Sequence, residues 1–166
     1  MFAAQPLTRE TLVTIHRCCW TAILLLSACG GGSAPVQPAR SASTAVQGFM
    51  QAVADSNLDK MASLWGTTNG PALKTHQPPD YEKRIAIMQA YLRNDGFHIT
   101  SDVAEGETRR AVQVQIRRET CTWNVPFETV STADGSWLVT SVDLNAAGNP
   151  ARPCVEGATG DSLPKK

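Results

Sequence analysis

Residues 43–154 predict an α+β domain, with three N-terminal helices packed on an antiparallel sheet of about four strands. Three observations predict it. Apolar residues recur at helical spacing through Leu92. The period then drops to alternation after Gly96. Turn signals at Glu105-Gly106 and Asp134-Gly135 divide the second half into strands. Helices followed by strands describe an α+β domain with the helices on one sheet face.

Each element has its own signal. Ser43 is a plausible N-cap for a first helix. In it Val46, Phe49, Met50 and Val53 share one face, and Asp55-Ser56-Asn57 competes for the backbone and stops it. Asn57 or Asp59 starts a second helix with Leu58, Met61, Ala62 and Trp65 inward, and Gly66 suits its left-handed C-terminal cap. Thr67 to Asp80 contains Gly70-Pro71 and Pro78-Pro79 and reads as irregular loop. Asp80 caps a third helix over 81–93, with Ile85, Met88 and Leu92 aligned, ended by Asn94-Asp95-Gly96. Phe97, Ile99, Ser101 and Val103 then alternate with His98, Thr100 and Asp102. Val112, Val114 and Ile116 follow, then Cys121, Trp123, Val125 and Phe127, and Trp137–Leu144 as the last strand.

The amino terminus has a different character. Arg9, His16 and Arg17 precede an apolar run, Trp20 to Leu26, and small residues follow it. That is the layout of a secretory signal, residues 1–28. The run falls well short of the roughly 20 apolar residues of a membrane span. A buried core helix is the competing reading, and the glycines at 30–32 argue against it. Residues 29–42, rich in Gly, Ser, Ala, Pro and Gln, read as a flexible tether, and 155–166 as a flexible tail.

Leu26-Ser27-Ala28-Cys29 resembles the lipobox of bacterial lipoproteins. The resemblance implies cleavage before Cys29 and acylation of its thiol, with two or more chains giving durable anchoring. Gly30, not aspartate, follows the cysteine. By the same resemblance this implies the outer membrane of a two-membrane bacterium, facing the periplasm. The expected partners are that membrane and either a small apolar ligand or another envelope protein.

Without residues 1–28 the chain carries 13 basic and 14 acidic residues, so no positive field draws in nucleic acid. Of five cysteines, Cys121 and Cys154 remain after the signal and the anchor. In an oxidising compartment they read as a disulfide closing a loop of about 34 residues, worth roughly 4 kcal/mol. A metal pair or a reactive thiol is the alternative, although the spacing matches no zinc motif.

Residues 43–66, STAVQGFMQAVADSNLDKMASLWG, and the later stretch DGSWLVTSVDL resemble small lipoprotein domains with a nuclear-transport-factor-2-like fold. The resemblance implies a curved sheet wrapped against helices into a cone with an apolar cavity. Members bind small molecules, or act as isomerases or dehydratases, or are uncharacterised. Phe49, Trp65, Tyr81, Trp123 and Trp137 are the candidate cavity wall; the plainer reading makes them core. Enzymatic members place an acid or base in the cone, for which Tyr81, Tyr91, His98 and Asp102 are available without any motif match. His98 and Asp102 lie on the same strand face about 13 Å apart, on the side opposite Phe97 and Ile99. No nucleophile elbow, phosphate loop or cofactor motif is present, and the histidines make a poor metal site. A non-enzymatic binding domain leads; a cavity enzyme and a structural role in an envelope assembly are the alternatives.

Overall fold

The computed structural model describes residues 38–152 and residue 154. The signal, Cys29, most of the tether and the tail lie outside the described residues. Helix α1 (Ala42–Ala54) leads to α2 (Leu58–Leu64), then to a ribbon of β1 (Gly66–Thr67) and β2 (Gly70–Pro71). One helical turn, α3 (Ala72–Thr75), precedes α4 (Tyr81–Leu92). Strands β3 (Gly96–Ala104), β4 (Arg109–Arg118), β5 (Cys121–Ser131) and β6 (Trp137–Val142) form an antiparallel meander in chain order. A 3-10 turn (Leu144–Ala147) follows.

The core forms where α1 crosses all four strands. Val46, Phe49, Met50 and Val53 are buried as their spacing predicts, against Val112, Val114 and Ile116 of β4 and Val125 and Phe127 of β5. The rings of Phe49 and Phe127 meet edge to face, centroids 6.3 Å apart. Both β-bulges adjust which residues reach this core. In β6, Thr129 pairs with Val139 and Glu128 with Ser141, so Thr140 is the extra residue and both Val139 and Val142 pack inward.

Several sequence expectations shift. Ser41, not Ser43, caps α1, its hydroxyl accepting the Thr44 N–H at 3.1 Å. The carbonyl of buried Ala39 accepts the Trp137 N–H at 2.9 Å, so residues 39–42 belong to the domain and not to the tether. Leu58 opens α2 at its solvent end and is 42% exposed, whereas Met61, Ala62 and Trp65 are buried. Gly66 makes no left-handed cap. The chain turns extended at Trp65, which bridges Val139 in parallel and accepts the Ala72 N–H at 2.8 Å. Tertiary pairing therefore ends α2. Gly66 is needed because a Cβ there would collide with the Gly70 carbonyl across the ribbon. The stretch read as irregular thus holds β1, β2 and α3. The last strand stops at Val142, short of Leu144.

The largest correction is in β3. Ile99 pairs with Val114 and Ser101 with Gln113, leaving Thr100 as a bulge. One extra residue exchanges the two faces of everything after it. Val103 turns outward, 58% exposed, and Asp102 turns inward opposite Val112.

Candidate functional site

The five aromatic residues expected to line one cavity are dispersed. Phe49 is wholly buried in the α1–sheet core. Trp65 is buried at the edge of β6. Tyr81 starts α4; its hydroxyl donates to Glu82 Oε1 at 3.2 Å and its ring lies 5.9 Å from His76. Burial first, then the Glu82 carboxylate, pushes the Tyr81 phenol upward. Trp123 lies beneath the Arg118 guanidinium, 4.8 Å from the ring centroid. Trp137 lines a groove.

That groove, ≈570 Å³, lies between α2, the β1–β2 ribbon and α3 on one side and the β5–β6 turn on the other. Its apolar wall includes Leu64, Pro71, Leu73, Trp137 and Leu138, with Pro38 and Ala39 also contributing. Lys74 and Asp134 are the charged groups that line it. The Asp134 carboxylate accepts the Thr132 hydroxyl and, at 3.1 Å, the Ser136 N–H. These bonds, Thr132 foremost, hold it at about 2, so it is a fixed negative charge at neutral pH. Lys74 is exposed and has no ion-pair partner among the described residues.

A second polar group sits at the open end of the sheet. The Ser43 hydroxyl donates to Asp102 Oδ2, and Arg110 Nε to Asp102 Oδ1. Arg110 also reaches the Asp102 carbonyl at 3.2 Å. The cluster ties α1 to β3 and β4. Burial alone would raise the Asp102 carboxyl; the bonds from Ser43 and Arg110 outweigh it and hold the group below the usual carboxylate range. His98 stays exposed on the outer sheet face, so the bulge separates the pair that alternation had placed together. Tyr91 supplies its carbonyl to Arg118.

A carboxyl more acidic in the fold than in the open chain stabilises the fold above its unfolded value, about pH 4. That contribution fades as pH falls through the folded value. Asp102→Asn is therefore expected to cost ~2 kcal/mol at pH 7 and less at pH 3. Chemical denaturation at both pH values checks this, and an equal loss at both would mean that charge is not the cause.

Arg118, the last residue of β4, is half-buried. It donates to the carbonyls of Arg93, Tyr91 and Ala147 at 2.8, 2.8 and 3.0 Å. Cys121 and Cys154 are disulfide-bonded, Cα atoms 5.9 Å apart, as expected from cysteine arithmetic. No group of three or more metal-ligating side chains occurs among the described residues.

No family model matches the chain, and no curated protein matches it. Among solved structures it is similar to an NTF-2-like protein of unknown function from Shewanella oneidensis MR-1. Identity is 15%, over 60% of this chain and 92% of that one, with a TM-score of 0.40.

The groove residues Leu73, Lys74 and Leu138 escape sequence reasoning. Leu73 and Lys74 sit in the stretch that Gly70-Pro71 marks as loop, and a four-residue helix is too short to show a period. The usable signal was Leu73 itself, a large apolar residue in an otherwise polar segment.

Proposed function

We propose that this chain is an envelope lipoprotein, anchored through lipid on Cys29 in the outer membrane and facing the periplasm. Its domain, of nuclear-transport-factor-2-like architecture, binds a small apolar ligand. The observation that carries the binding half is the ≈570 Å³ groove, whose volume and mixed apolar and polar lining match small-ligand sites. The ligand site thus moves from the centre of the cone, filled by Phe49 and Phe127, to its flank. The anchor rests on the sequence Leu26-Ser27-Ala28-Cys29 behind its apolar run. An isomerase- or dehydratase-like reaction would call for a cavity acid near neutrality. Asp102 and Asp134 are both held below the ordinary range and act as fixed charges.

One experiment tests both halves. The full chain and its Cys29→Ser variant are made in a two-membrane bacterium and fractionated, and native mass spectra of the full chain are recorded from lipid nanodiscs. The parent is expected in the outer-membrane fraction, the variant released, and an extra mass lost on denaturation. Sedimentation of the variant with membranes overturns the anchor. Parent in the inner fraction overturns the placement, and a bare mass overturns the ligand.

A further inference from the structure

We infer that the groove takes the single acyl chain of an anionic amphiphile, a long-chain fatty acid drawn from the membrane that holds the anchor. This deepens the ligand-binding reading and rests on it. Three observations lead there.

Leu64, Leu73, Trp137 and Leu138 give the groove an apolar wall, interrupted by the neutral polar groups of Ser63, Thr68, Asn69, Thr132 and Ser136. The charged groups at the groove are asymmetric in availability. Asp134 is committed to Thr132 and Ser136, while Lys74 on α3 has no ion-pair partner among the described residues. Asp134 keeps its negative charge and also lacks an ion pair among the described residues, so the groove carries one cation and one anion; Lys74, with neither hydrogen bond nor ion pair among those residues, is the place where an anionic head fits. Third, Pro38 and Ala39 line the groove, and Pro38 lies nine positions after Cys29. At ~3.3–3.6 Å per residue, the groove is held within about 30 Å of the lipid-bearing residue. Its nearest reservoir of apolar molecules is therefore the bilayer.

That reservoir sets the energetics. An acyl chain gains ~0.8 kcal/mol per methylene on leaving water, but it gains the same in the bilayer. Transfer from bilayer to groove is near balance for the chain, so the head at Lys74 decides occupancy.

The test uses the full chain in phosphatidylcholine nanodiscs, titrated with 9,10-dibromostearate, whose bromines quench tryptophan on contact. Saturable quenching is expected, with most of the saturable part lost in Trp137→Phe, because neither Trp65 nor Trp123 lines the groove. Should that variant unfold, Leu73→Ala on the helical wall gives the same reading through weaker binding. Lys74→Ala is expected to raise the half-saturating concentration about fivefold, the equivalent of ~1 kcal/mol for an exposed ion pair. Quenching that rises linearly with bromolipid, or is unchanged in Trp137→Phe, overturns the site. An unchanged half-saturation in Lys74→Ala overturns the anionic head. If quenching fails while the native mass spectrum carries another mass, the fatty acid falls and the ligand reading stands; a bare mass as well removes both.

Discussion

Phe49→Ala is expected to lower the unfolding free energy by ~4 kcal/mol, the usual range for emptying a phenylalanine site in a core. Phe49 lies at the middle of α1, where that helix crosses the sheet, and its ring has no solvent contact. The loss has two parts: the transfer free energy of the ring, and the void it leaves against Phe127, whose edge-to-face partner is gone. Backbone collapse would have to move α1 toward four hydrogen-bonded strands, so little relaxation is available. For a domain of this size the melting temperature should fall by on the order of 15 °C. Calorimetry checks it. Leu58→Ala is the control: another large apolar residue, read as inward from the α2 pattern, but 42% exposed, and expected to cost under about 1 kcal/mol. Comparable losses in the two would mean that the α1–sheet interface is not the main core.

Removing the bond between Cys121 and Cys154 is expected to cost ~4 kcal/mol, most simply in the double alanine variant. The bridge joins residues 33 apart and pins the chain after the 3-10 turn to the first residue of β5. The neighbouring contacts should outlast it. Arg118 still holds the Ala147 carbonyl, and Gly148, at φ 71, still lies against Trp123. The expected result is a large loss of global stability, seen equally in the parent under reductant, with Trp123 fluorescence of the folded state little changed. A melting temperature indifferent to reductant would overturn the stabilising role, and two reactive thiols in the unfolded, unreduced chain would overturn the bond itself.

Much of the architecture is legible in the sequence because burial repeats with a period. Val46 to Val53 in α1, Ile85 to Leu92 in α4 and Val112 to Ile116 in β4 each carry three or four residues in phase, and all are buried. Single-residue events are not periodic and leave no such trace. Thr100 looks like any outward threonine until its omission from the register with β4, where its hydroxyl donates to the Gln113 carbonyl at 3.3 Å, exchanges the faces beyond it. Alternation then assigns Asp102 to solvent and Val103 to the core, the reverse of what forms. Gly66 looks like a helix cap because glycine serves two needs, and the one that applies here, close approach to Gly70, depends on a strand that the sequence conceals. Trp137 was legible only as a candidate wall of a central cone cavity. Its groove was not, because Leu64, Leu73 and Leu138 come from three elements that only tertiary packing brings together.

The bond between the Ala39 carbonyl and the Trp137 N–H also has a mechanical consequence. If the chain is held through Cys29 as proposed, drag reaches the described domain at its amino-terminal end, by Ala39. Among the described residues, the first linkage to carry that load is the hydrogen bond to the outer edge of β6. Next comes the Ser41 cap on the first turn of α1. Neither is strong, so both yield under modest force and lengthen the lead-in by a few residues. The remainder of α1 resists differently. Its buried face spans all four strands and must leave them together, in shear rather than by peeling. The lead-in thus behaves as a compliant element in series with a stiff one, and because Pro38 and Ala39 also line the groove, its extension would reshape that wall before the core feels any tension.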